Sequence, residues 1–361
     1  MKITFVVPAL NLTGGIRVVA IYSSYLANKG HVVTVVSPNK RIFSLKTRLK
    51  SFLKGNGWDA GSHFATDFFS NPKVNLKVVD TWRDITEDDV PDGDIVIATF
   101  WNTAEWVKSY SIAKGVKFYL IQHYEIHPWL PIDRVKNTLK LPFKKIVVAG
   151  WLKNILVHDY GADNVTVIAN GVDHKQFYSD GKRSKQTIPT VGFFYSERAF
   201  KGCDVIIKAI NSVREIYPEV RVIAMGMKQA TKELLLPENT NYVQDPAQDQ
   251  IKNIYSQCDV WLFGSRSEGF GLTLLEAMAC RTPVIATNAG AAPELMAESG
   301  GQLIAIDDIK AMADAIIRII NMGQADWQFY SEKAYNASCM HSWEKSADKL
   351  EKLLLHESQK A

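Results

Sequence analysis

The sequence predicts an α/β protein built on two doubly wound parallel sheets, and three observations support this prediction. The chain has 361 residues, of which 47% are hydrophobic, and this suffices for two domains of about 150 to 200 residues with a core each. Short apolar and β-branched runs alternate with helical or loop stretches, as expected for parallel strands joined by crossovers. The alternation starts again after Asn170-Gly171, which is a turn signal.

The predicted strands are short, largely apolar runs, because strands of a doubly wound sheet are covered on both faces. In the first half they are residues 3–7, 32–37, 76–79, 95–99, 117–122 and 145–149. In the second half they are residues 190–194, 220–225, 241–243, 260–263 and 284–287. Helical stretches include residues 16–28, 205–217, 272–279 and 342–355. Residues 165–177 lie between the halves and are predicted to contain a hinge.

The strongest chemical signal is the segment SRSEGFGLTLLEAMACRTPVIAT, residues 265–287. A glycine turn opens a helix there, and the free amides and dipole of a helix N-terminus favour an anion, which Gly269 and Gly271 allow to approach. Since a helix rises about 1.5 Å per residue, Glu276 lies roughly 7 to 8 Å along it, which suits a ribose next to a diphosphate. The alternative is that Glu268 only interacts with the helix dipole and that Glu276 is a solvated helix residue.

This segment resembles the E-x7-E signature of retaining GT-B glycosyltransferases, in particular glycosyltransferase family 4 (glycosyl transferases group 1). The resemblance implies that Glu268 is catalytic and binds hydroxyls of the donor sugar, and that Glu276 holds the ribose. Three backbone amides would bind the diphosphate, those of Phe270, Gly271 and Leu272. Arg281 departs from the family, which usually has glycine at this helix end.

The resemblance also implies the GT-B architecture, which is two Rossmann-like domains with a deep interdomain cleft. Residues 1–168 would form an N-terminal acceptor domain, and residues 169–341 a C-terminal nucleotide-sugar donor domain. Residues 342–361 would form a C-terminal helix that returns to the N-terminal domain.

Two further loops are implicated in donor binding by the same resemblance. In the segment NLTGG, Gly14 and Gly15 would bring backbone amides close to the donor, although a glycine pair after a first strand is more often only a tight turn. In the segment SERAFKG, Arg198 and Lys201 would offset the charge that builds on the leaving diphosphate. A surface pair of basic residues is the alternative there.

His123 follows the predicted strand 117–122, and ligands of open α/β sheets lie beyond the carboxyl ends of strands. A lone histidine is more often structural, but the resemblance implies contact with the donor sugar or stabilisation of positive charge near the reacting carbon. The residues near His123 could form a sugar-binding rim or an ordinary polar loop with buried aromatics. These residues are Tyr124, Glu125, His127 and Trp129. Further residues that could contact an acceptor are Trp101, Asn102 and Glu105.

The function implied by the resemblance is retaining transfer of a hexose from a nucleotide-sugar, preferably UDP-hexose, to a saccharide or lipid-linked glycan acceptor in polysaccharide biosynthesis. The chain has no D-x-D pair in a context that suggests Mg²⁺ against a diphosphate, so metal-independent transfer is expected. No cofactor is expected beyond the nucleotide-sugar, which is a co-substrate. The alternatives are a UDP-sugar epimerase of the same fold and a non-catalytic nucleotide-sugar-binding subunit.

The net charge and the hydropathy of the chain limit the kinds of partner that are expected. A net charge of +4 is too mild to require nucleic acid, and no apolar run approaches the roughly 18 to 20 residues that span a bilayer, so a cytoplasmic protein is expected.

The four cysteines are scattered and are predicted to be reduced core residues. One basic stretch combines cations with apolar residues near one helical face, which predicts either peripheral contact with the inner membrane face or a core-packed helix. Its cations are Lys40, Arg41, Lys46, Arg48, Lys50 and Lys54.

Overall fold

The structure, a computed structural model, describes residues 1–11, 13–39, 66–297 and 299–360. The chain divides into two compact units. Unit 1 comprises Met1–Val148, Leu152–Ile168 and Glu344–Ala361, and unit 2 comprises Ala149–Trp151 and Ala169–Trp343. The basic stretch from Lys40 to Lys54 lies outside the described residues.

The described elements alternate between strands and helices along both units. The strands are β1 (Lys2–Val6), β2 (Val32–Ser37), β3 (Val74–Val78), β4 (Ile95–Ala98), β5 (Val116–Ile121), β6 (Lys144–Val147), β7 (Val165–Val167), β8 (Thr190–Phe194), β9 (Arg221–Gly226), β10 (Asn241–Gln244), β11 (Val260–Phe263), β12 (Val284–Thr287) and β13 (Gln302–Ile304). The helices are α1 (Gly14–Asn28), α2 (Trp101–Lys108), α3 (Ile132–Leu139), α4 (Gly150–Tyr160), α5 (Cys203–Arg214), α6 (Ile251–Ser256), α7 (Leu272–Ala279), α8 (Ala292–Met296), α9 (Ile309–Asn321), α10 (Gln324–Ser338) and α11 (Trp343–Ser358). Short 3₁₀ turns span Thr66–Phe69, Glu87–Asp89, Ile112–Lys114 and Ala199–Lys201.

The sheet of unit 1 is parallel throughout, with the strand order β3-β2-β1-β4-β5-β6-β7. Every residue of β4 is buried, as expected for a strand covered on both faces. The order reverses between β1 and β4. The loops after these two strands therefore diverge, which opens a crevice at their carboxyl ends.

The C-terminal helix α11 packs within unit 1 from Glu344 onward. Its buried side chains recur at helical spacing, and they include Ala347, Leu350 and Leu354. At the surface Lys29 contacts Asp348 at 2.5 Å and Glu351 at 2.9 Å. Such exposed pairs contribute only about 0 to 1 kcal/mol, so the apolar face holds the helix in place.

The sheet of unit 2 is also parallel throughout, with the strand order β10-β9-β8-β11-β12-β13. An apolar core lies between the sheet and helices α5 and α9, whose buried residues include Val213 and Ile316. The order reverses between β8 and β11, in the same way as in unit 1. Both predicted parallel sheets are thus confirmed.

The prediction misses two strands, β7 and β13, because each has three residues, too few to form a recognisable apolar run. β7 lies within residues 165–177, which the sequence predicts as a linker. The helix α1 begins at Gly14 rather than at residue 16. Cys203, Cys258 and Cys280 are buried, but Cys339 is exposed, so the prediction that all four cysteines are core residues is wrong.

The chain passes from unit 1 to unit 2 after Ile168, the position of the first predicted boundary. It returns to unit 1 after Trp343, where the sequence places the second boundary at 341. The structure also assigns Ala149–Trp151 to unit 2. The Gly150 and Trp151 amides donate hydrogen bonds to Glu294 of the same unit. Within the described ranges, no helix combines the length and the apolar character that a membrane span requires.

Candidate active site

The reversal of strand order in unit 2 brings two predicted loops together. The segment that follows β8 contains Lys201, and the segment that follows β11 contains Glu268. Because β8 and β11 are hydrogen-bonded neighbours in one parallel sheet, both segments leave the same edge side by side. The two residues are 67 positions apart in the sequence, and they meet only because of this topology.

The two segments are in backbone contact. Gly202 has a left-handed conformation, with φ 61°, and a methyl group there would lie 1.8 Å from the carbonyl oxygen of Gly264. The amides of Arg266 and Ser267 donate to the Phe200 carbonyl oxygen at 2.8 Å and 3.3 Å. A side chain at position 202 would therefore push the turn that carries Lys201 away from β11.

Arg266 fixes the same turn through its guanidinium group. It donates to the Ala199 carbonyl oxygen at 2.5 Å and to the carboxylates of Asp204 and Asp307 at 2.7 Å and 2.6 Å. These charged partners raise the pKa of Arg266 above its ordinary value, so it stays a cation. Sequence reasoning did not find Arg266 because its partners lie on two segments distant from it in the sequence, residues 199–204 and Asp307.

Lys201 and Glu268 form an ion pair. The Lys201 Nζ atom lies 2.5 Å from Glu268 Oε2, and the hydroxyl of Ser265 lies 3.3 Å from the same oxygen. The two side chains are 28% and 16% exposed, so the pair is sheltered but open to a small molecule. The backbone of Glu268 is held closely as well, since a methyl group on Gly290 would lie 2.6 Å from its carbonyl oxygen.

Residues 268–272, which we call the EGFGL loop, lead into α7. The Gly269 amide lies 3.3 Å from Glu268 Oε1. Within the part of the chain that the structure describes, no hydrogen-bond acceptor is found for the next three amides, those of Phe270, Gly271 and Leu272. These N–H groups begin a helix of eight residues, so the helix dipole adds to their attraction for an anion.

Glu276 lies on the buried side of α7 and is 6% exposed. The alternative of a solvated helix residue is therefore wrong. The Tyr255 hydroxyl donates to Glu276 Oε2 at 3.0 Å, and the Tyr255 ring packs edge-on against Trp261 with the ring centres 4.6 Å apart. Tyr255 thus orients the carboxylate from within the core, and no motif in the sequence pointed to it.

Arg198 is exposed and lies apart from this network. Its guanidinium carbon lies 5.9 Å from the centre of the Phe200 ring, and its amide donates to the Ser196 hydroxyl at 3.3 Å. The structure therefore brings Lys201, but not Arg198, into a hydrogen bond with Glu268.

In unit 1 the predicted residues lie at the carboxyl edge of β1 and β5. Gly14 and Gly15 are the first two residues of α1, and the Gly15 carbonyl oxygen accepts from Gln122 Nε2 at 3.1 Å. This contact links the start of α1 to the strand end that carries His123. The His123 Nδ1 atom lies 3.0 Å from the Tyr124 carbonyl oxygen, so neutral His123 carries its proton on Nδ1.

Three rings at this edge form a stack that we call the ring ladder, His123, His127 and Trp129. The ring centres of His123 and His127 are 4.9 Å apart, and those of His127 and Trp129 are 4.5 Å apart with nearly parallel planes. Trp129 is 64% exposed. The ladder therefore connects the predicted catalytic histidine to an exposed aromatic surface.

Glu125, which lies between His123 and His127 in the sequence, is buried, and its Oε2 atom accepts from the Trp101 amide at 3.2 Å. Burial raises the pKa of Glu125 to about 8, so it is largely protonated at neutral pH. The nearby Glu105 is held by Arg134, whose Nε atom donates to Glu105 Oε1 at 3.0 Å. Among the described residues, the buried Trp101 Nε1 and Asn102 Oδ1 atoms have no hydrogen-bond partner.

Residues 175–337 match the family model described as Glycosyl transferases group 1. The lipopolysaccharide core biosynthesis mannosyltransferase LpsB of Rhizobium meliloti is 32% identical over 173 residues, covering 42% of this chain and 49% of the relative. A D-inositol 3-phosphate glycosyltransferase of Corynebacterium urealyticum is 26% identical over 221 residues, covering 54% of this chain and 52% of the relative. The chain thus spans about half the length of the curated relatives it matches.

Solved structures match along the whole chain. Sucrose-phosphate synthase from Thermosynechococcus elongatus superposes with a TM-score of 0.76 at 16% identity, covering 100% of both chains. The Anabaena protein HepE in complex with UDP gives a TM-score of 0.75 at 16% identity, covering 99% of this chain and 100% of HepE. At such identities the likeness establishes the fold alone. Residues 175–337 therefore match the glycosyl transferases group 1 model, and the chain has the GT-B fold.

Proposed function

We propose that this protein is a retaining, metal-independent glycosyltransferase that moves a hexose from UDP-hexose to a saccharide or lipid-linked glycan acceptor. One observation carries the proposal. A lysine and a carboxylate, Lys201 and Glu268, are paired at 2.5 Å next to the EGFGL loop, where three successive amides have no acceptor within the described chain. A cation and helix amides suit a diphosphate, and a carboxylate suits sugar hydroxyls.

The roles follow from this arrangement. The amides of Phe270, Gly271 and Leu272 bind the diphosphate, and Lys201 offsets the negative charge that builds on it as the bond to the sugar breaks. Glu268 accepts from hydroxyls of the transferred hexose. Glu276 accepts from the ribose hydroxyls, in the orientation that Tyr255 imposes.

The atoms, bonds and protons of the transfer step balance with the donor and the acceptor alone. The bond between the anomeric carbon and the diphosphate oxygen breaks, and the acceptor oxygen bonds to that carbon on the same face. The acceptor proton passes to a diphosphate oxygen, so UDP leaves with it. We propose that His123 contacts the donor sugar or stabilises the positive charge that develops at the anomeric carbon.

Related proteins support the choice of donor. HepE has been crystallised with UDP and with UDP-glucose, and the curated relatives include a mannosyltransferase. UDP-hexose is therefore our first choice, and GDP-sugars come next. Thermal-shift measurements with UDP, GDP and ADP would rank the bases, and the largest increase in melting temperature is expected with UDP.

The deciding experiment incubates the protein with radiolabelled nucleotide-sugars, with and without membrane extract. Label transferred to an acceptor supports the proposal, an isomerised donor would indicate an epimerase, and neither product would indicate a non-catalytic subunit. Glu268→Gln is the matched control, because it keeps the size of the side chain and removes its charge. Retention requires that NMR shows the same anomeric configuration in donor and product, and metal independence requires full activity in EDTA.

A further inference from the structure

Trp151 makes a hydrogen bond to the EGFGL loop. Its indole Nε1 atom donates to the Gly269 carbonyl oxygen at 3.0 Å. Trp151 is in the first turn of α4 but belongs to unit 2, together with Ala149 and Gly150. The contact therefore lies within a single unit, between a side chain and the backbone that precedes Phe270.

The backbone of Trp151 is itself anchored. Glu294, in α8, accepts from the Gly150 amide through Oε2 and from the Trp151 amide through Oε1, both at 3.0 Å. These two bonds hold the Gly150 and Trp151 amides against one carboxylate. A methyl group on Gly150 would lie 3.1 Å from Glu294 Oε1, so glycine allows the close approach. The backbone from which the Trp151 indole extends is therefore held in place by Glu294.

The peptide unit between Gly269 and Phe270 explains what this contact does. The Gly269 carbonyl and the Phe270 N–H belong to one planar trans peptide, so they point in opposite directions. A bond that holds the carbonyl therefore also fixes the direction of the N–H. Gly269 has no Cβ, so this peptide could otherwise rotate at low steric cost.

We propose that Trp151 is a positioning residue that orients the Phe270 N–H toward the donor diphosphate by holding the Gly269 carbonyl. The inference rests on the proposed function, because it requires a diphosphate at the EGFGL loop. It extends that function to a residue 117 positions before the E-x7-E segment begins at Glu268, which no motif in the sequence indicates. Without the indole N–H, the peptide populates orientations in which the Phe270 amide turns away from the ligand.

The test compares Trp151→Phe with the wild-type protein in the binding of UDP and of uridine by calorimetry. The substitution keeps an aromatic ring but removes the donor N–H. The dissociation constant for UDP should rise about 10-fold, the size expected for one hydrogen bond to a charged group, while that for uridine changes less than about 2-fold. In transfer assays KM for the donor should rise as well.

Trp82→Phe is the matched control, since it changes a tryptophan of unit 1 that is 46% exposed and should leave UDP binding unchanged. Equal weakening of UDP and uridine would mean that the indole only packs, and this would overturn the inference, as would unchanged UDP binding. A wild-type protein that binds none of UDP, GDP and ADP would instead overturn the proposed function together with the inference. Glu294→Gln gives a second readout: it loosens the base of the indole and should weaken UDP binding less than Trp151→Phe does.

Discussion

The carboxyl edges of the two sheets hold their candidate carboxyl groups in different ways. In unit 2, Glu268 is paired with Lys201 and remains partly exposed. In unit 1, Glu125 is buried, its carboxyl group accepts from a backbone amide, and burial raises its pKa to about 8. One edge therefore places a carboxylate beside a cation, whereas the other keeps a largely neutral acid that lies between residues of the ring ladder in the sequence.

The difference shows what each edge suits. Cations and free amides favour an anionic ligand such as a diphosphate, and Lys201 places one such cation against Glu268. A neutral acid and stacked rings favour an uncharged ligand with an apolar face, as a saccharide has. The two edges share one topology, a reversal of strand order in a parallel sheet, and differ in the chemistry that the loops place there.

The largest effect is expected when the backbone contact under the ion pair is broken. Gly202→Ala places a methyl group 1.8 Å from the Gly264 carbonyl oxygen at a left-handed φ, so the turn that carries Lys201 must move. We expect the free energy of unfolding to fall by on the order of 5 kcal/mol, since overpacking and backbone strain act together. Urea denaturation measures the change.

Gly323→Ala is the control for this prediction. Gly323 precedes α10 at φ −63°, and a methyl group there would have no neighbour within 4 Å. Because Gly323 is the N-cap of α10, where alanine is less favourable than glycine, the unfolding free energy should fall by no more than about 1 kcal/mol. If both variants are equally stable, the Lys201 turn is not held by this backbone contact, and the comparison loses its basis in unit 2.

The second prediction concerns the neutral edge. The raised pKa of Glu125 means that the folded protein keeps a proton which the unfolded chain releases above about pH 4.5. The stabilising contribution of protonated Glu125 is therefore complete below that pH. As the pH rises toward 8, the free energy of unfolding falls by on the order of 4 kcal/mol. Glu125→Gln should remove this dependence, and urea denaturation at several pH values measures it.

Glu219→Gln, a change at an exposed glutamate of unit 2, is the matched control and should keep the pH dependence of the wild type. A wild-type protein whose stability does not fall between about pH 5 and pH 8 relative to Glu125→Gln would contradict the burial argument. The unit 1 edge would then carry a charge at neutral pH, and the contrast with unit 2 would disappear.

Much of the fold can be predicted from the sequence, because buried parallel strands are continuous apolar runs. The bounds of α7 agree with the predicted helix over residues 272–279, since a glycine turn opens it and a change to polar residues ends it. The misses are the three-residue strands β7 and β13. They lie at the edges of their sheets, where fewer neighbours demand apolar residues and the pattern is weakest.

The candidate site could be predicted only in part. Glu268 and Lys201 were named from the resemblance, but their contact arises from the adjacency of β8 and β11, which no local pattern contains. Tyr255, Arg266 and Trp151 act through contacts with distant segments, so periodicity and motifs give them no signal. The close approach of backbone at a glycine such as Gly202 is equally hidden, because glycine occurs in many loops for the sake of turn geometry alone.

A third prediction tests the charged edge directly. Lys201→Met keeps the length of the side chain and removes the ammonium group beside Glu268. Loss of a group that stabilises charge in the transition state lowers the rate by about 100-fold or more, and we expect kcat/KM for the donor to fall accordingly. Steady-state kinetics with a labelled donor measures it.

The control is Lys310→Met, which removes another ion-paired lysine of unit 2. Lys310 is 86% exposed and lies 2.6 Å from Asp314 on the surface of α9. Its kinetic constants should equal those of the wild type. If Lys201→Met transfers sugar at the wild-type rate, the ion pair is only a structural contact and the charged edge does not act on the diphosphate.

The smallest effect is expected at Arg281, which ends α7 in a left-handed conformation with φ 59°. Glycine would relieve a strain of about 1 kcal/mol there. Arg281, however, lies 2.5 Å from Glu332 and stacks 3.9 Å from the centre of the Tyr335 ring, and these contacts tie α7 to α10. A partly buried ion pair and a cation–π contact together contribute about 1 to 3 kcal/mol, so Arg281→Gly should lower the unfolding free energy by a net of about 1 kcal/mol.

Thermal denaturation measures this change in stability, with Lys310→Met as the control for an exposed pair. An increase in stability would show that the strain outweighs the ion pair, and that the helix bearing Glu276 is held by its buried face and Tyr255 alone.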